Sequence, residues 1–173
     1  VPLVNPADLR PGRFDGHIEV NGHVAIEAPN FTRAINSSMA SWQVLEGYGR
    51  TLGGVASYPV RAANAVPGGD SARLEYDIFT CSSGELNLEL HLAPSLNYQS
   101  GEGLRFAVSI DDSAPQMLKV DTWKTLQTWE QAVGEGVTKV RTKVTLSTPG
   151  RHTIKVWRVT PGVVFQRLIL GNP

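Results

Sequence analysis

The sequence predicts an all-β protein, a jelly-roll-type β-sandwich of two antiparallel sheets, on three observations. Between Gly69 and Asp111, three segments carry apolar residues at every second position: Leu74, Tyr76, Ile78; then Leu86, Leu88, Leu90, Leu92; then Leu104, Phe106, Val108, Ile110. A period of two over this length marks strands with one side in a core and the other in water. Glycine (17 residues) and proline (11) punctuate the chain at short intervals while helical periodicity is scarce, as expected where many short strands end in turns. Finally, 173 residues suffice for one domain with a sizeable core. A sheet whose leucines face one way needs a second sheet to cover them.

Taken in order, residues 1–14 contain Pro2, Pro6 and Pro11 and no periodicity, which reads as a linker or a strap over the surface. Residues 15–173 read as a single domain. His23 to Ala28 is a short strand, with Ile18 to Val20 pairing before it across Asn21-Gly22, a strong hairpin signal. Phe31 to Ala40 reads as irregular, Trp42 to Leu45 as a strand, and Arg50 to Val60 as an extended piece ending at Pro59. The tight Ser82-Ser83-Gly84 link predicts an antiparallel hairpin between the first two central segments, and Gln116 to Val120 a partner for the third. Leu126, Trp129 and Val133, spaced by three and four, predict one or two helical turns within 121–136. Val137 to Leu146 alternates again with Val140, Val144 and Leu146 inward, and Arg151 to Val159 and Val163 to Leu170 complete about ten strands.

Charge balances at 16 basic against 16 acidic residues, so nothing points to nucleic acid or an anionic membrane as partner. No apolar run approaches the roughly 20 residues of a membrane helix. The opening Val-Pro-Leu-Val lacks the features of a signal peptide and reads as a boundary, the cut end of a longer protein. A lone Cys81 excludes a disulfide framework.

Catalytic chemistry finds little support. There is no Gly-x-Ser-x-Gly elbow, no His-Glu-x-x-His and no paired-cysteine spacing. His17, His23, His91 and His152 show no ligand spacing, and Glu75 and Asp77 read as a solvated strand face before they read as a glycosidase pair. The chain is therefore expected not to be an enzyme. Aromatic residues are more informative, because a glycan surface needs flat apolar rings beside fork-shaped polar groups. Trp42, Tyr48, Tyr98, Trp123, Trp129 and Trp157 lie at turns or out of phase with the core, and Trp157 shares its strand face with Thr153 and Lys155.

The order of Val24-Ala-Ile-Glu-Ala28, Trp42-Gln-Val, Gly49-Arg-Thr51, Pro67-Gly-Gly-Asp70, Leu74-Glu-Tyr76, Gly103 to Asp111, Trp129-Glu-Gln131, Val156-Trp157 and Pro161-Gly-Val-Val164 resembles the C-terminal domain of family-115 glycoside hydrolases, xylan α-1,2-glucuronidases. The resemblance runs collinearly from about residue 15 to 170, and the family's catalytic machinery lies in other domains. It implies an accessory β-sandwich. Ile26-Glu27-Ala28 also looks like the first strand of carbohydrate-binding modules of families 6 and 35, in which that glutamate helps to hold a structural calcium. The resemblance thus implies Glu27 as a calcium ligand, although Pro29 stands where a second acidic residue is usual. No other cofactor is implied.

Two readings stand side by side. In one, the chain is a non-catalytic carbohydrate-binding module for plant cell-wall polysaccharide, xylan or glucuronoxylan, that targets an appended hydrolase outside the cell, secreted or periplasmic. In the other it is a structural or dimerisation domain of an α-glucuronidase. For the first, the expected site is the loop rim, where Trp42, Tyr48, Arg50 and Trp129 would converge; the alternative is the sheet face, where Trp157 and Lys155 would lie near Arg105.

Overall fold

A computed structural model describes residues 14–98, 103–120 and 125–172. Residues 1–13 of the proposed strap over 1–14, the loop positions 99–102 and Trp123 lie outside the described residues. Two six-stranded sheets pack face to face. The first contains β1 (His17–Ile18), β3 (Arg33–Ile35), β6 (Arg73–Thr80), β8 (Arg105–Ile110), β9 (Gln116–Lys119) and β11 (Gly150–Arg158), in the order β1-β6-β11-β8-β9 with β3 also beside β6. The second contains β2 (His23–Glu27), β4 (Ser41–Glu46), β5 (Gly53–Tyr58), β7 (Gly84–Leu92), β10 (Thr138–Leu146) and β12 (Val164–Gly171), in the order β10-β7-β12-β5-β4 with β2 also beside β12.

The alternation reads correctly which side chains turn inward. Leu74, Tyr76 and Ile78 of β6, Phe106 and Val108 of β8, and Leu86 to Leu92 of β7 form one buried cluster with Val140, Val144 and Leu146 of β10 and Phe165, Leu168 and Leu170 of β12. Phe106 and Phe165 meet edge to face across the two sheets, 5.3 Å between centroids. Tyr76 lies wholly within this core; its hydroxyl donates to the Ala28 carbonyl at 2.9 Å, and burial pushes its phenol well above the usual range.

The predicted β6–β7 hairpin does not form. β6 belongs to the first sheet and β7 to the second, and β6 pairs instead with β11, 70 or more residues later in the chain. Three residues, 81–83, span the roughly 10 Å between packed sheets as readily as they turn a hairpin. The two leucine-bearing strands thus cover each other. The β8–β9 hairpin forms as read, with Phe106 opposite Leu118. Across Asn21-Gly22 only Val20 and His23 bridge, both turn residues having positive φ, while β1 leaves to pair in parallel with β6. Residues 33–35, inside the stretch read as irregular, add β3.

The helix is longer than one or two turns. α1 (Leu126–Glu135) runs ten residues from a capping box in which the Thr125 hydroxyl accepts from the Thr128 amide. It ends at Gly136 in the left-handed region, φ 65°, whose amide reaches the Val133 and Ala132 carbonyls. Among the described residues no helix is long and apolar enough to cross a membrane.

Candidate functional site

The rim is built where the β4–β5 turn, the end of α1 and the start of β12 meet. Its centre is Gln166, which sits where the β12 register shifts between Phe165 and Arg167. A bulge frees one residue from the ladder and re-aims its side chain. The Gln166 side chain is buried; its Oε1 accepts from the Arg50 amide at 3.2 Å and its Nε2 donates to the Gly136 carbonyl at 2.9 Å. One amide therefore ties the turn to the helix end. Gly49 is in the left-handed region at φ 90°, which favours glycine, and a Cβ there would also press on the Gln166 amide oxygen at 2.7 Å. On the other side of the turn the Tyr48 ring lies against Gly54, beside Val164, and remains 43% exposed.

Next to this turn is a depression of about 320 Å³, lined by Arg50, Thr51, His91, Val137, Lys139, Gln166 and Arg167. Its floor is a row across the outer side of the second sheet: Lys139 opposite His91, and His91 opposite Arg167. His91 meets Glu89 at 2.6 Å and Arg167 is ion-paired with Glu27. Among the described residues Arg50 and Lys139 have no ion-pair partner, and no carboxylate is in the lining. Sequence reasoning found Arg50 and missed Lys139, His91 and Gln166. The signal for Lys139 is the outward run Lys139, Arg141, Lys143 at period two on β10.

The other ring residues are more deeply held. Trp42 packs against the core with its ring 6.0 Å from that of Phe165. Trp129 is half-buried on α1, its amide donating to the Thr125 carbonyl. Trp157 is on the outer side of the first sheet, as its phase predicts, and Arg105 is on the same side of the adjoining β8. Yet Trp157 is only 6% exposed: the Arg73 guanidinium lies 4.9 Å from its ring centre and its Nε1 donates to the Ser109 hydroxyl at 2.9 Å. Of the rings described, Tyr48 is the one at the rim that meets solvent broadly enough to stack.

Glu27 does not fit a calcium ion. Burial alone would raise its pKa, but the Thr51 hydroxyl, the Arg167 guanidinium and the Leu52 amide all donate to its carboxylate and hold it below the usual range. Arg167 Nε reaches Glu27 Oε1 at 2.6 Å, and its Nη2 reaches the same oxygen. These are donors converging on an anion, whereas calcium takes six to eight oxygen acceptors. No group of three His, Cys, Asp or Glu among the described residues could hold a metal.

None of the curated proteins matches this sequence closely enough to report. Several solved structures share the fold. The 4-O-methyl-α-glucuronidase BtGH115A, with specificity for decorated arabinogalactans, aligns at TM-score 0.60 and 15% identity over 83% of this chain and 18% of its own. The Podospora anserina GH26-CBM35 β-1,4-mannanase aligns at 0.58 and 15%, over 89% of this chain and 28% of its own. The C-terminal family-6 module of the marine laminarinase LamC from Zobellia galactanivorans aligns at 0.55 and 15%, over 87% of this chain and 99% of that one. This chain thus spans less than a fifth of the glucuronidase and nearly the whole of an isolated module. Residues 16–172 match the glycosyl hydrolase family 115 C-terminal domain, and the chain belongs to that family.

Proposed function

We propose that the chain is a non-catalytic carbohydrate-binding domain, and that its rim holds the acidic branch of a xylan-type plant polysaccharide. Such a role places it outside the cytoplasm, attached to a hydrolase that acts on the same polymer. The observation that carries the reading is the rim depression with two uncompensated cations, Arg50 and Lys139, in a protein whose total charge balances. A guanidinium fork matches a carboxylate with two parallel hydrogen bonds, and an ammonium adds a point charge. Tyr48 offers a ring to the apolar side of a neighbouring sugar.

Affinity electrophoresis on glucuronoxylan tests this. Arg50→Ala, Lys139→Ala and Tyr48→Ala are each expected to weaken binding about tenfold, roughly 1.4 kcal/mol, with the melt unchanged. Raised salt should weaken wild-type binding through the two cations. Trp157→Ala is expected to lower the melting temperature, because its ring is buried beneath the Arg73 guanidinium. If the wild type is not retarded on any xylan, the binding reading fails. The reading as a supporting or dimerisation domain of an α-glucuronidase then takes its place.

A further inference from the structure

We infer that the outer side of the first sheet is a second, separate carbohydrate site, one that takes the neutral main chain of a polysaccharide. Three depressions follow one another across this face, of about 510, 330 and 490 Å³. Asp111 lines the first and the second, and Pro115 the second and the third, so they form one continuous run. A run of this kind suits an extended chain better than a single sugar.

The charges select against an anion. Arg33 and Arg151 in the first depression face Asp15, Asp77 and Asp111; in the second, Arg73 and Lys155 face Asp111 and Asp112. The first has one carboxylate in excess and the second is balanced, so a carboxylate or phosphate gains nothing there. A hydroxyl-rich neutral ligand does, because the acceptors are already fixed. The Asp77 carboxylate receives both terminal nitrogens of Arg33 at 2.9 Å and the Thr153 hydroxyl at 2.8 Å. Asp111 receives the Thr153 amide at 2.8 Å and meets the His152 ring at 2.8 Å. Each carboxylate keeps lone pairs for a ligand, and little ordering remains to be done when one arrives.

Apolar surface for sugar C–H faces lies at both ends of the run. Phe14 forms one wall, its ring edge-on to Phe79 at 6.3 Å and 5.1 Å from the Arg151 guanidinium. At the far end Val66 is 86% and Met117 44% exposed, beside Pro67 and Pro115. Trp157 and Lys155, outward by their phase on the strand, both line the second depression. This inference shares with the proposed function only the class of ligand. The two sites have no lining residue in common.

The test is a titration of the ¹⁵N-labelled protein with three uncharged probes, xylohexaose, cellohexaose and mannohexaose, followed by amide shifts. At least one is expected to move the Thr153, Ser113 and Val66 signals saturably. Phe14→Ala and Met117→Ala should each weaken that binding about tenfold, while Arg50→Ala and Lys139→Ala leave it unchanged. Met117 is exposed, so its variant decides the matter should Phe14→Ala fail to fold. The inference is overturned if no hexaose moves these signals, if the shifts map to the rim, or if Met117→Ala binds as the wild type does. Loss of glucuronoxylan binding with hexaose binding intact would instead remove the rim reading alone.

Discussion

The two outer faces of the sandwich carry the same pattern of alternating charges and use it differently. On the first sheet Glu75 is 6% exposed, with Arg33 Nε at 2.7 Å on one carboxylate oxygen and Arg73 Nε at 2.6 Å on the other. Arg33 goes on to clasp Asp77, and Arg73 to cover Trp157. On the second sheet Glu85 pairs with Lys143 at 2.6 Å, both side chains more than half exposed, and Glu89 lies between His91 and an exposed Arg141. The first face is dished and roofed by its own arginines; the second is open. An outward-pointing residue is therefore not the same thing as a solvated one. Each arginine on the dished face does two things, neutralising a covered carboxylate and shaping the depressions beside it.

The largest expected effect sharpens this contrast. Glu75→Ala removes two charge-assisted hydrogen bonds and leaves the partly covered Arg73 without its carboxylate, a loss of about 1.5–3 kcal/mol. Glu85→Ala on the open face should stay within about 0.5 kcal/mol. Urea unfolding of the two variants measures both, and similar losses would break the distinction between the faces. A second effect concerns acid. For Glu75 burial acts upward, but the hydrogen bonds from Arg33 and Arg73 outweigh it and leave the folded pKa below the ordinary value; Glu89 is lowered likewise by His91 and Arg141. A carboxylate with a depressed folded pKa contributes stability that is fully present above its unfolded value, about 4.3 for glutamate, and lost as pH falls through the folded one. Stability should thus fall on the acid side of about pH 4.3. Glu75→Gln, which cannot titrate, should flatten that fall more than Glu85→Gln, as thermal melts between pH 2 and 6 would show.

What the sequence discloses of this contrast is its parity. Period-two alternation correctly turns Leu74, Leu88, Phe106 and Val140 inward and Trp157 outward. It says nothing about what lies over an outward residue, because the cover comes from a partner strand: Trp157 is opposite Arg73, 84 positions earlier. The same blindness explains the hairpin predicted at Ser82-Ser83-Gly84. A short polar link between two alternating segments has one appearance whether the segments pair or cross between sheets. The rim was legible in part, since Tyr48 and Arg50 stand among glycines that mark a turn. Lys139 and His91 were not, for they reach the depression through strand register, the most distant kind of information in the chain.

The smallest expected effect tests the one place where the open face departs from its own rule. Glu27 is on the outer side of the second sheet, yet its carboxylate is as firmly held as Glu75, by the Arg167 fork and Thr51. Were a calcium held at this strand, chelation would remove a ligand bound only to the folded state and lower the melt by mass action. Here a guanidinium already supplies the positive charge, covalently attached to β12, so adding a chelator should shift the melting temperature by less than about 1 °C. Arg167→Ala should destabilise the fold by about 1–3 kcal/mol through the unpaired carboxylate, equally with and without chelator. A melt that drops by many degrees on chelation would mean that Glu27 can exchange its arginine for a metal. The open face would then hold an ion-dependent point with no counterpart on the dished one.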